Sequence, residues 1–191
     1  MLKRHVTIEG DQLTFDYPAK SGQHREQSMA DREVVAVVEK LRNRRQGREL
    51  LAYKRGGRWV DVKSEDINSY VKEVTGSDFT AKDFRTWNAT VLAAVALAVS
   101  APAAETKRKR EKAIQRAVQE VARYLGNTPA VARSSYIDPR TFDRYRSGLT
   151  IGRVLGVVAD DPDLGGIHGP VEDAVLDLIM DRESEAIEKV A

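Results

Sequence analysis

The chain contains no cysteine, which removes disulfides, thiolate chemistry and any cysteine-based zinc site. Its three histidines, His5, His24 and His168, are too scattered to read as a metal cluster. No internal repeat, glycine-rich phosphate loop or acidic metal-binding cluster stands out, so no cofactor is expected. The first residues lack the basic segment and apolar core of a signal sequence. The longest apolar run, Val91 to Val99, falls short of the ~20 residues a membrane span requires and reads as a buried helix. These absences lead to the expectation of a cytoplasmic protein with no membrane partner.

What is present fits a globular chain. With 191 residues, 41% hydrophobic and 31% charged, there is room for one large domain or two small ones. The net charge of +2 conceals a division. Residues 20–63 hold 12 Lys and Arg against 6 Asp and Glu, whereas residues 151–191 hold 3 against 10. A basic body with an acidic tail suits a nucleic-acid binder whose tail lies off the DNA path. An ordinary solvated surface would give the same pattern.

Alternating residues His5 to Glu9 and Gln12 to Tyr17, with Gly10-Asp11 between them, predict a β-hairpin. Lys20-Ser21-Gly22 reads as the next turn and His24 to Ser28 as a third strand. Asp31 is a helix N-cap, and Val34, Val35, Val37, Val38 and Leu41 form a buried stripe along a helix to about Arg45. Arg42, Arg44, Arg45 and Arg48 at its end suit both the helix dipole and phosphate contacts. Leu50 to Tyr53 and Arg58 to Val62 flank Gly56-Gly57 as a small hairpin or a loop. Ser64 caps a helix to Thr75 that Gly76 ends. Thr80 caps the longest apolar helix, to about Val99. The basic run Lys107-Arg108-Lys109-Arg110 opens another, whose apolar face is Ala113, Ile114, Ala117, Val118, Val121 and Leu125. Gly148 ends the helix after Tyr136. Asp160 to Gly166 reads as a loop, and Pro170 to about Val190 as a final acidic helix.

One stretch carries chemistry. In Leu125-Gly126-Asn127-Thr128-Pro129, Thr128 is a fair N-cap and Pro129 fits the first helical position. Asn127 then sits beside free backbone N–H groups, a natural place for an anion. Asp138-Pro139 repeats the cap signal, which puts Tyr136 in a short joint between two helices. The plain alternative is a half-buried packing tyrosine. Arg85 lies in the first turns of the long apolar helix, where dipole effects do not favour a cation, so it needs another partner. A salt bridge to Asp83 or Glu73 is one candidate and a phosphate is the other.

Asp16-Tyr17-Pro18-Ala19-Lys20-Ser21-Gly22, Thr80-Ala81-Lys82-Asp83-Phe84-Arg85-Thr86-Trp87 and the Leu125 to Pro139 stretch occur in the order of a known pattern. From about Leu2 to about Leu149 the chain resembles the catalytic domain of type IB DNA topoisomerases, in the bacterial and poxvirus-like branch. The resemblance implies an α+β fold that is mainly helical, with a small N-terminal antiparallel sheet before a helical catalytic domain of the type shared with tyrosine recombinases. It implies residues 1–150 as that domain and 151–191 as an acidic helical tail. It implies ATP-independent relaxation of double-stranded DNA by a monomer at the nucleoid, with Tyr136 as nucleophile, Arg85 and Asn127 on the phosphate and Lys20 as general acid. Arg42, Arg44, Arg45, Lys82, Lys107, Arg108, Lys109 and Arg110 are the expected DNA contacts.

The chain also departs from the pattern. Ala19 stands where the family commonly has Gly, and Asn127 where it often has His. A further catalytic Arg belongs on a helix upstream of Leu2, together with a strand-rich clamping domain, and neither Arg4 nor Arg25 matches that Arg. Two alternatives therefore stand beside the topoisomerase reading. A tyrosine recombinase or integrase shares the layout, but would usually have His at Lys82, His at Asn127 and Thr beside the tyrosine. A non-catalytic DNA-binding remnant of the fold could keep all four residues.

Overall fold

Residues 1–18, 24–160 and 169–190 are described by the computed structural model. Their contacts divide the chain into two units, Met1–Thr80 and Ala81–Ala191. The first unit opens as the alternation predicts. Strands β1 (Val6–Glu9), β2 (Gln12–Pro18) and β3 (His24–Ala30) form an antiparallel sheet in that order, with Ile8 opposite Leu13 and Tyr17 opposite Arg25. Asp31 caps α1 (Arg32–Asn43), its carboxylate accepting the N–H groups of Glu33 and Val34 at 2.9 and 3.0 Å. Val6, Leu13, Val35, Val38 and Leu50 close the core between sheet and helix. Val37, expected in the stripe, is 55% exposed. It lies about a quarter turn from the centre of the buried face, and the three-stranded sheet covers only one side of α1.

Gly56-Gly57 make a hairpin of β4 (Ala52–Arg55) and β5 (Arg58–Asp61). The next helix, α2, runs Ser64–Thr75 and ends at Gly76, whose φ of 64° is the left-handed cap expected there. Its N-cap is Lys63 rather than Ser64, and the stabilising carboxylate is that of Asp66, accepting the Lys63 N–H at 2.8 Å.

The second unit is built on α3 (Ala81–Ser100), which is apolar nearly all round because it is buried on two faces. Ala89, Ala93 and Leu97 face a cluster with α4 (Lys107–Leu125), α5 (Pro129–Ser135) and α6 (Pro139–Arg146). Val91, Ala94 and Ala98 face another, with α7 (Gly152–Asp160) and α8 (Pro170–Met180). By length and composition alone Ala81–Ala103 could cross a membrane, although here it packs on protein along both faces. All six expected apolar residues of α4 are buried, and Thr106 caps the helix.

The C-terminal part differs from the expected helical tail. Helix α8 ends at Met180, where Asp181 turns left-handed with φ 58°. The chain then returns as β7 (Glu188–Lys189), paired antiparallel with β6 (Leu149–Thr150). Gly148, at φ 82°, allows this close approach, since a Cβ there would stand 2.5 Å from the Val190 carbonyl oxygen. Val171, Val175 and Leu178 of α8 are core residues, so the acidic segment is amphipathic and buries an apolar stripe. The expected loop from Asp160 to Gly166 falls almost wholly outside the described residues.

Candidate active site

The joint around Tyr136 follows from two caps. Thr128 accepts the Val131 N–H at 3.3 Å, which starts α5 on Pro129. The helix stops at Tyr136, where the backbone N–H groups of Tyr136 and Ile137 both reach the Ala132 carbonyl at 3.1 Å. Asp138 then caps α6, accepting the Arg140 N–H at 2.9 Å and pairing with the Arg140 guanidinium at 2.7 Å. That hydrogen bond from Arg140 holds the Asp138 carboxyl below the usual carboxylate range. Ile137 is buried and pins the joint to the core, while Tyr136 is half-buried at its edge.

Arg85 comes from the first turns of α3 and meets this joint. Its guanidinium lies 5.2 Å from the centroid of the Tyr136 ring. Its partner is neither Asp83 nor Glu73: one Nη donates to the carbonyl of Leu125, the last residue of α4. The free carbonyls at a helix C-terminus attract a cation, so the end of α4 supplies what the start of α3 does not. Arg85 Nε and Asn127 Nδ2 are buried and have no hydrogen-bond partner among the described residues. Buried donors in this condition cost about 1–3 kcal/mol each unless a ligand takes them. Asn127 lies two residues beyond the carbonyl that holds Arg85. The arrangement offers one unmet guanidinium N–H on the side chain that meets the Tyr136 ring, and a second unmet N–H two residues beyond the carbonyl that holds it.

Thr90 was not among the residues singled out from sequence. It is 2% exposed, and its hydroxyl lies 3.0 Å from the Thr86 carbonyl and 3.4 Å from that of Tyr136, while accepting the Asp138 N–H at 3.1 Å. One side chain of α3 thus ties both ends of the joint to the helix that carries Arg85. The only sequence signal was a threonine in an apolar run, which is common in ordinary helices. Asp83, Thr86, Trp87, Thr90, Tyr136 and Ile179 border an open cleft of about 350 Å³ there. Ile179 belongs to α8, and Glu172 of the same helix accepts the Trp87 indole N–H at 2.9 Å.

The other expected residues divide. Lys20 lies outside the described residues. Arg42 and Arg45 in the first unit and Lys82, Lys107, Arg108 and Lys109 in the second are exposed. Arg44 cannot serve as a DNA contact. Its side chain is 2% exposed and donates to the carbonyls of Leu41, Leu50 and Glu49, with Asp61 at 3.7 Å. It satisfies the turn after α1, a local demand that a run of arginines does not reveal. Arg110 is half-buried and donates to the carbonyls of Ala104 at 3.3 Å and Arg146 at 3.1 Å, the latter the last residue of α6.

Residues 1–150 match the family described as eukaryotic DNA topoisomerase I, catalytic core. Over 153 residues the chain is 30% identical to a protein of Acanthamoeba polyphaga mimivirus named DNA topoisomerase 1B, a match that takes in 76% of this chain and 45% of that protein. The chain thus spans less than half the length of this relative. With a match that covers the sheet, the arginine-bearing helix and the tyrosine joint alike, the chain belongs to the type IB DNA topoisomerase family.

Proposed function

We propose that this domain relaxes supercoiled duplex DNA, without ATP or a metal, through a transient link between Tyr136 and a 3′ phosphate. The observation that carries the reading is the Arg85 guanidinium 5.2 Å from the Tyr136 ring centroid, with Arg85 Nε and Asn127 Nδ2 buried and unmet. The Tyr136 oxygen attacks phosphorus as the bond to the 5′ oxygen breaks. A free tyrosine has a pKa of about 10, so a nucleophilic phenol benefits from positive charge beside it. Arg85 supplies that charge and clamps a nonbridging oxygen, and Asn127 donates to the same phosphate. These contacts strengthen as negative charge gathers in the transition state. Lys20 protonates the leaving 5′ oxygen. Because the phosphotyrosine keeps the bond energy, religation runs the same steps backwards. Exposed Arg42, Arg45, Lys82, Lys107, Arg108 and Lys109 hold the duplex through its phosphates, and the enzyme acts as a monomer on DNA in the cytoplasm.

The test is relaxation of supercoiled plasmid in EDTA without ATP, with denaturation midway to trap protein on a 3′ DNA end. It is run on this chain and on the chain joined to a segment bearing the further arginine that the resemblance places upstream. Strand exchange between two marked duplexes in place of relaxation would favour a recombinase. Duplex binding with no adduct from either protein would leave a non-catalytic binding domain.

A further inference from the structure

The β4–β5 hairpin carries more positive charge at its tip than its fold requires. Its register sets Arg55 directly opposite Arg58, and Lys54 opposite Trp59. Like charges facing each other across an antiparallel pair destabilise it. Among the described residues, Lys54, Arg55 and Arg58 form no ion pair with a carboxylate. Elsewhere in the same unit, Arg32 has Asp11 at 3.1 Å, Arg44 has Asp61 at 3.7 Å and Lys72 has Asp78 at 2.8 Å.

The tip is also pre-organised. Gly56 and Gly57, at φ 55° and 79°, form the two-residue turn that suits strand twist, and a Cβ on either would meet nothing within 4 Å. Lys54 Nζ rests 5.3 Å from the Trp59 ring centroid, and the Arg55 guanidinium 5.5 Å from that of Tyr53. The Tyr53 hydroxyl reaches Asp66 of α2 at 3.4 Å, which ties the hairpin to a helix. Aromatic faces therefore steady two of the three cations without neutralising them. An anion accepting from both arginines would remove the repulsion, and a phosphodiester matches guanidinium geometry.

We propose that the β4–β5 tip is a contact to the phosphate backbone of duplex DNA, indifferent to base sequence, with Arg55 and Arg58, paired on one face of the hairpin, sharing one phosphate. This rests on duplex DNA being the substrate, as proposed above. It assigns to the hairpin a role that belongs to holding the duplex and not to the cleavage chemistry.

The test measures affinity of the whole chain for a mixed-sequence duplex as salt is raised. Wild type is compared with Arg55→Gln/Arg58→Gln and with an equal-charge control, Arg32→Gln/Lys72→Gln, which removes cations that already have carboxylate partners. Each phosphate contact contributes about 0.9 to the slope of log affinity against log salt, so the tip variant, which gives up the one shared phosphate, should lose about 0.9 and the control far less. Arg55→Lys/Arg58→Lys, which keeps the charge, should recover most of the slope. The melting temperature of the Gln variant should equal or exceed that of wild type, because a repulsion is gone. An unchanged slope, an equal loss in the control, or a loss confined to one DNA sequence would overturn the proposal. So would a lowered melting temperature, which would make the arginines structural. A wild-type chain with no salt-dependent duplex affinity would instead overturn the topoisomerase reading itself.

Discussion

Tyr136 lies just before α6 and Tyr145 in its last turn, and both touch the same hydrophobic cluster, yet their surroundings are opposed. Tyr145 is a core member, 2% exposed, and its hydroxyl has no partner among the described residues. Burial pushes its pKa up, and the cations Arg110 and Arg116 only partly offset this. Tyr136 packs at the edge of the cluster, borders an open cleft and has the Arg85 guanidinium over its ring. Burial disfavours the charged form of the Tyr145 phenol. The two ends of this short helix thus separate a buried packing tyrosine from one that borders an open cleft beside a guanidinium. A third, Tyr124, is half exposed on α4 and lines a separate cleft with Leu92, Val95 and Glu120.

The largest expected effect breaks this comparison outright. Tyr136→Phe should abolish the trapped adduct while leaving duplex affinity nearly unchanged, since it removes one hydroxyl and no charge. Tyr145→Phe should leave adduct formation intact and stability equal or slightly higher, because the lost hydroxyl was buried without a partner. An adduct that survives Tyr136→Phe, or that maps to Tyr145 or Tyr124, would refute the assignment. Arg85→Ala comes next. Losing one preorganised donor to transition-state charge costs about 10²–10³ in rate, with a much smaller change in binding. Lys20→Ala should slow cleavage, and a substrate with a better leaving group at the 5′ oxygen should recover much of the loss. A simple phosphate contact would show no such rescue.

Thr90 sharpens the comparison at a smaller scale, since its hydroxyl clamps the Tyr136 joint. Thr90→Val keeps the volume but strands the Asp138 N–H, at a cost of about 1–3 kcal/mol in stability. The rate should fall roughly tenfold or more, because the nucleophile is less well placed. As a positioning residue it should lower kcat more than it raises KM, and Thr90→Ser should restore both rate and stability. Equal losses of stability in Thr90→Ser and Thr90→Val would remove the hydroxyl from the account.

What was legible in the sequence was what neighbours along the chain decide. The caps at Asp31, Thr128 and Asp138 depend on N–H groups two or three residues away, and the six apolar residues of α4 follow one helical period. Distant partners were not legible. Arg44 reads like its neighbours Arg42 and Arg45, and only the carbonyls of Leu50 and Glu49 turn it inward. The pairing of β7 with β6 needs Gly148 and Val190 to meet, so the acidic segment after Met180 read as more helix. The approach of Arg85 to Tyr136 was reached through motif resemblance alone, because no periodicity joins residues on different helices. Thr90 escaped even that, since its role is a pair of backbone contacts made across the fold.

The smallest effect compares the two ends of α6 in acid. Each end has a carboxylate held below its ordinary range, first by a hydrogen bond from arginine: Asp138 by Arg140 before the helix, and Glu111 by Arg146 at its close. A depressed folded-state pKa stabilises the protein above the unfolded value, about 3.9 for Asp, and that contribution is lost as pH falls through the folded value. Both pairs therefore help at neutral pH and fade below about pH 4. The Arg140 side chain is 52% exposed and that of Glu111 42%, so solvent screening keeps either contribution small. Asp138→Asn keeps a good N-cap but not the ion pair, and should cost no more than about 1 kcal/mol at pH 7. Denaturant unfolding at stepped pH should show that difference from wild type closing below pH 4. Glu111→Gln should behave alike in stability. Only Asp138→Asn should also slow cleavage at neutral pH, since its carboxylate borders the joint that holds Tyr136. If Glu111→Gln slows cleavage equally, the two ends of α6 are coupled and the division between them fails.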